Sequence, residues 1–213
     1  MKIDFVSDIV CPWCAIGLSA LERAIERVAP SVPLQLHVQP FELNSDMPRT
    51  GQDIGEHLAQ KYGLRPEQVA ANRELIRQRG RSVGFTFHMD QCSRIVNTFD
   101  AHRLLYWAGS QGDEAQHRLT KALFVAYFTE GQDPSDAAVL RRVVQAVGLD
   151  AQQARDILHS EAYAAEVRQR QRFYARQGLR AVPSFILNDR FLIQGAQPVE
   201  VFEQALRQAV ATQ

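Results

Sequence analysis

Cysteine is scarce in this chain, three in 213 residues, and that number cannot build a disulfide scaffold. An excess of one charge is missing too: 24 acidic and 24 basic side chains leave a formal net charge of zero. Nucleic acid and anionic membrane surfaces favour a basic footprint, so neither is expected as a partner. No long uncharged apolar run occurs, which excludes a helix of membrane-spanning length. Near the start, Asp4 and Asp8 interrupt the early apolar segment and no basic region precedes it. No signal peptide is therefore expected, and the cytoplasm follows as the expected location. What is present is 46% apolar and 23% charged residues, the balance of a soluble globular protein with a core of its own. Repeats and low-complexity segments are absent.

Residues 2–7 (KIDFVS) alternate with β-branched and aromatic content and predict a strand. From Pro12 to Ala29, the apolar positions Leu18, Leu21, Ile25 and Val28 recur at helical spacing. VAPSVP breaks that helix, and LQLHVQPF (34–41) alternates again, so the chain opens as β-α-β. From about residue 50 to 160 no strand is predicted. Instead come DIGEHLAQKYG, RPEQVAANRELIRQRG, NTFDAHRLLYWAGSQG, DEAQHRLTKALFVAYFTEG and DPSDAAVLRRVVQAVG. Most begin with Asp, Asn or Pro and end at Gly, the start and stop chemistry of helices, and a block of about four to six is expected. Asn97 with Asp100 resembles a helix cap, and Gly131 a stop. EAYAAEVRQRQRFYARQG (161–178) reads as a further helix. SFILN and RFLIQG are strands joined at Asn188-Asp189, a dipeptide suited to a hairpin turn. QPVEVFEQALRQAV closes the chain as an amphipathic helix with Pro198 in its first turn.

The sequence DFVSDIVCPWCAIG (4–17) places Cys11 and Cys14 where the first strand gives way to the first helix. Pro12 suits the opening turn of a helix, because its missing N–H would have no intrahelical partner. Cys11 then sits at the helix N-terminus, where unpaired N–H groups and the macrodipole stabilise a negative sulfur. Cys14 lies one turn on, within reach of Cys11. The spacing suits a redox pair in which Cys11 attacks and Cys14 resolves the mixed disulfide. Two inert buried thiols are the plainer alternative. A structural zinc site would need four Cys or His ligands; one pair plus the distant Cys92 does not supply them, and no metal is expected. At the far end of the chain, Pro183 precedes an apolar strand in RAVPSFILN. Proline there can adopt a cis bond and leave an edge for a peptide, with Val182 carrying the polar contacts; an ordinary trans strand-starting proline is the alternative.

These residues resemble a known group. Cys11-Pro12-Trp13-Cys14 after the first strand, with Val182-Pro183 before a late one, looks like the thioredoxin fold. SDIVCPWCAIG, PFELNSDMPRTG, NTFDAHRLLYWA, ALFVAYFTEG and VPSFILNDRFLIQGAQ resemble the FrnE-like branch of the DsbA family, in the expected order through nearly the whole chain. The resemblance implies an α/β thioredoxin fold with a large all-helical insertion: residues 1–48 and 161–213 as its two parts, 49–160 as the insertion. It implies a thiol-disulfide oxidoreductase with Cys11 as nucleophile, Cys14 as its partner and Pro183 as the facing cis-proline. Cysteine-containing proteins or small thiols would be the partners, and the dithiol itself would cycle without a cofactor. The same branch is similar to 2-hydroxychromene-2-carboxylate isomerases and kappa-class glutathione transferases, which generally have a serine near the place of Cys11. A glutathione-dependent isomerase or transferase is therefore the alternative, with glutathione as candidate cosubstrate. Pro-Trp between the cysteines departs from the Pro-His of DsbA. Trp13 has no cationic form to offer the thiolate, so a less oxidising couple than DsbA's is expected.

Further candidates carry weaker signals. Asp4 or Asp8 could take a proton from Cys14, with solvated strand-end acids as the plainer reading. Trp13 is expected exposed beside the cysteines, offering apolar contact to substrate. Phe41 and Asn97 are candidates for the cleft. His102 could cap it, with a histidine organising helix packing as the plainer reading. Cys92 reads as an unpaired structural thiol, and His88 could share a helix face with it.

Overall fold

The computed structural model describes residues 1–28 and 33–211. The break expected over VAPSVP falls largely on residues 29–32, outside the described residues. Strand β1 (Lys2–Ser7) leads into helix α1 (Pro12–Val28), and β2 (Gln35–Pro40) returns parallel to β1. At the other end of the chain come α8 (Ala164–Arg176), β5 (Ser184–Leu187), β6 (Phe191–Gln194) and α9 (Val199–Ala211). The four strands form one sheet in the order β2-β1-β5-β6, with β5 antiparallel to both neighbours. The β5–β6 turn is made by Asn188 and Asp189 at φ 50° and 56°, the two left-handed residues of a tight hairpin turn. Strands from residues 1–48 and strands from residues 161–213 thus share one sheet.

Side-chain alternation along β1 separates two layers. Ile3 and Phe5 enter the main core, whereas Val6 joins Tyr174 and Leu179 in a smaller cluster on the other face. In the main core Phe185 stacks on Phe5 at 4.8 Å and meets Phe202 edge-on at 4.9 Å. α1 packs against α9 above this face. Its buried side chains are small or aliphatic: Ala15, Ile16, Leu18, Ala20, Leu21 and Ala24.

Between the two parts of the sheet, six helices follow one another. They are α2 (Ile54–Tyr62), α3 (Pro66–Val83), α4 (Phe99–Ser110), α5 (Asp113–Phe128), α6 (Ala137–Ala146) and α7 (Ala151–Leu158). Two differences from the sequence reading have local causes. Residues Gln52–Asp53 (β3) and Arg94–Ile95 (β4) form a short antiparallel pair inside the block expected to be purely helical. Two residues each are too few to carry an alternating pattern. The helix expected to stop at Gly80 runs on to Val83 and ends at Gly84, φ 81°. Gly80 serves close packing instead, because a Cβ there would come within 2.4 Å of the Phe87 ring. The expected Asn97–Asp100 cap is also displaced. Thr98 is the N-cap of α4, Asn97 accepts the Phe99 N–H at 2.9 Å, and Asp100 accepts from Arg103 at 2.8 Å.

The helical block closes the sheet edge. β2 is an edge strand, and unpaired edge N–H and C=O groups invite aggregation. Gln116 of α5 answers this with its side-chain amide: its oxygen accepts from Val38 N–H at 2.8 Å and its nitrogen donates to Val38 O at 3.0 Å. The same nitrogen donates to Leu105 O of α4 at 3.0 Å, so one buried side chain joins strand β2 to both helices.

Candidate active site

β1 ends at Ser7, and a turn closed by Cys11 N–H to Asp8 O at 3.1 Å delivers the chain to α1. Cys11 therefore stands immediately before Pro12, the first residue of the helix, and Cys14 N–H donates back to Cys11 O at 3.0 Å. Both are free thiols, Cys11 3% exposed and Cys14 fully buried. Cys11 Sγ donates to the Val182 carbonyl at 3.8 Å, and the Val182–Pro183 peptide bond is cis. Residues far apart in sequence thus face one another across the head of α1. Gly17 permits the approach: a Cβ there would lie 3.1 Å from both Pro183 Cγ and Phe185 Cζ.

Burial pushes the Cys14 thiol well above its ordinary range, and the hydrogen bond and charge of Cys11 add to that. The Asp8 carboxylate also raises it, while a backbone hydrogen bond from Asp8 works the other way. Cys14 is thus held protonated until something removes its proton. Asp8 is itself buried, as is His102 of α4. Asp8 Oδ2 accepts Leu43 N–H at 2.7 Å, and Oδ1 approaches His102 Nε2 at 3.4 Å. That approach lacks hydrogen-bond alignment, and among the described residues neither atom has a hydrogen-bond partner. Buried polar groups are nearly always hydrogen-bonded, so a buried carboxylate oxygen held only in ion-pair range of His102 stands out.

Cys11, Pro12, Trp13 and Val182 line a cavity of about 400 Å³ roofed by α2 and α3. Its wall is largely apolar: Val10, Leu43, Ile54, Leu58, Val69 and Ile76, with Met89, Tyr127 and Phe128 beyond. Trp13 is half-buried in this wall, not exposed as expected, because the helical block covers it.

The other candidates lie elsewhere. Phe41 packs with Val6, Tyr174 and Leu179 on the opposite face of the sheet and does not line the cavity. Asn97 donates to Met47 O at 2.8 Å and borders a separate small pocket with Arg49, Phe99 and Arg168. Asp4 is buried, not solvated, and accepts from Gln39 at 2.8 Å and Lys2 at 3.0 Å. Asp8 is likewise not solvated, because α4 covers it through His102. Cys92 does reach the cavity wall, where Sγ donates to Tyr127 O at 3.0 Å. Burial, partly offset by the Arg73 charge, pushes its thiol up to about 11, so Cys92 is no second nucleophile at neutral pH. His88 shares no helix with it; residues 85–93 are not helical, and His88 is exposed. Among the described residues no group of His, Cys, Asp or Glu could hold a metal ion.

Sequence reasoning missed Arg73 of α3. The signal was present: Val69, Arg73 and Ile76 fall at i, i+4 and i+7, a cation on an otherwise apolar helix face.

A mixed sheet built from both ends of the chain, with helices on both faces, defines a thioredoxin-like protein. The DSBA-like thioredoxin domain matches residues 2–207, and the chain belongs to that family. It is 31% identical to a probable DsbA oxidoreductase of Streptomyces coelicolor, with a TM-score of 0.92 over 100% of this chain and 91% of that one. It is 27% identical over 207 residues to the uncharacterized protein YwbO of Bacillus subtilis (strain 168), covering 97% of this chain and 96% of that one. A 2-hydroxychromene-2-carboxylate isomerase shares the fold at 15% identity, with a TM-score of 0.74 over 100% of this chain and 97% of that one.

Proposed function

We propose that this protein is a thiol-disulfide oxidoreductase, exchanging disulfides with cysteine-containing proteins or small thiols through Cys11 and Cys14, in the cytoplasm and without metal or organic cofactor. The observation that carries the reading is the placement of Cys11: at the head of α1, beside the Val182 carbonyl, on the wall of an apolar cavity. In the reducing direction, the Cys11 thiolate attacks one sulfur of a substrate disulfide. A Cys11–substrate S–S bond forms, the substrate's own S–S bond breaks, and the electron pair leaves on the departing sulfur. Cys14 then attacks the Cys11 sulfur, closing the Cys11–Cys14 disulfide and releasing the second substrate thiol. Two electrons have passed to the substrate, and the oxidising direction runs the same steps in reverse. Pro12 and Trp13 would contact the substrate's apolar groups, and the Val182 backbone beside Pro183 would pair with an extended chain.

Cys14 must lose a proton in the second step, and burial opposes that. We take Asp8, whose carboxylate charge acts on Cys14, as the acceptor; its Oδ1 makes no hydrogen bond among the described residues and faces His102 of α4. Asp8→Asn keeps an oxygen for Leu43 N–H but removes the base. Resolution of the mixed disulfide should slow about 100-fold, with the initial attack by Cys11 little changed; rapid quench and mass spectrometry separate the two rates. An unaltered resolution rate would remove Asp8 from the proton path.

The function itself is tested by equilibrating the protein with glutathione buffers of graded redox ratio and counting alkylated thiols by mass. A reversible two-electron couple between Cys11 and Cys14 is expected. The absence of such a couple, with tight glutathione binding retained in Cys14→Ser, would sink this reading in favour of glutathione-dependent isomerase chemistry.

A further inference from the structure

α3 carries four arginines, and three are engaged. Arg77 pairs with Glu74 and Asp90, Arg81 pairs with Glu74, and Arg79 donates to Ala196 O. Arg73 makes no hydrogen bond or ion pair among the described residues, although its Nε is buried. A buried guanidinium N–H left without an acceptor is costly in a folded protein. It lines the cavity that holds Cys11, and among the described residues no carboxylate lines that cavity with it. His57, also on the wall, is held below its ordinary range by burial and by the Lys61 charge, both of which disfavour its cationic form. Among the described residues that line the wall, Arg73 is the one permanently charged cation. It also borders an adjoining outer pocket with Asp53 and Asp90, and both of those are committed: Asp53 caps α2, and Asp90 accepts from Arg77.

We infer that the cavity is a binding site for a compact apolar thiol or disulfide carrying an anionic group, with Arg73 as the residue that receives the anion. This rests on the exchange reading above and narrows its substrate class. A volume of about 400 Å³ suits a small molecule and not a folded partner. The apolar wall takes the body of the ligand, its sulfur reaches Cys11, and a carboxylate completes the fork of donors on Arg73. The chemistry is the exchange already written. The disulfide is the oxidant, Cys11 and Cys14 supply the electrons, and the two substrate sulfurs leave as thiols.

Two aromatic disulfides test this, the dianionic dithiobis-nitrobenzoate and the neutral dithiodipyridine, each mixed with the reduced protein under single-turnover conditions. The readout is the ratio of the two rate constants, because their intrinsic reactivities differ. Arg73→Gln should lower the ratio of anionic to neutral rate about tenfold, and Arg73→Lys should restore part of it. Arg142→Gln, on the exposed face of α6, controls for overall charge and should leave the ratio alone. An unchanged ratio in Arg73→Gln, with both disulfides still reacting, overturns the anion site while exchange stands. Failure of both disulfides to react with the wild-type protein overturns the exchange reading, and this inference with it.

Discussion

Cys11→Ser is expected to abolish disulfide exchange, with a loss on the order of 1,000-fold or more, the scale seen when a nucleophile is removed. Cys11 alone combines the place at the head of α1, the contact with Val182 O and access to the cavity. Cys92 reaches the same wall but cannot substitute, because its thiol is pushed up to about 11 and is spent on Tyr127 O. Cys14→Ser should behave differently. The first attack proceeds, but no thiol remains to displace the substrate, so the mixed disulfide on Cys11 accumulates. Mass spectrometry after mixing with a model disulfide reads both outcomes: no adduct in Cys11→Ser, and a stable adduct of one substrate half in Cys14→Ser. Continued turnover in Cys14→Ser would assign resolution to an external thiol and leave Cys14 a bystander. Turnover surviving in Cys11→Ser would end the dithiol reading.

Much of the frame was legible because local patterns and tertiary packing agree. KIDFVS alternates, and its alternation is what divides the core between α1 and α8. Pro12 marks the first residue of α1, and Asn188-Asp189 makes the turn its composition suggests. The failures share a different cause: they depend on what long-range packing covers. Asp8 reads as a strand-end acid, and only α4, about ninety residues on, turns it into a buried one. Phe41 follows Pro40 out of β2, and nothing local says which face of the sheet it will join. Gly80 and Gly84 are equally good helix stops by composition; the Phe87 ring, closing onto Gly80, decides between them. Arg73 illustrates the same limit at the site. Its helical register with Val69 and Ile76 is in the sequence, but its distance from Cys11 is not.

The largest stability loss is expected at Phe185. This ring is fully buried, stacked on Phe5 at 4.8 Å, edge-on to Phe202 at 4.9 Å, and 3.1 Å from where a Gly17 Cβ would stand. It therefore joins β1, β5, α9 and α1 at one point, and shares its approach to Gly17 with Pro183. Phe185→Ala removes the ring from a site on β5 walled by β1, α1 and α9, which cannot all close inward, so the cavity term adds to the lost transfer term. A cost of about 3–5 kcal/mol follows, a large part of the roughly 5–15 kcal/mol that holds a domain folded. Urea unfolding should show a lower midpoint with the slope unchanged. The Gly17 contact supplies an internal check. Gly17→Ala crowds Phe185 and Pro183 in the native chain, but in the Phe185→Ala background one of the two obstacles is gone. The double variant should then be more stable than the sum of the single losses predicts, by about 0.5 kcal/mol or more. Additive losses would show that α1 yields at Gly17 without pressing on Phe185. A Phe185→Ala cost below about 1 kcal/mol would show that the surrounding elements do close over the gap.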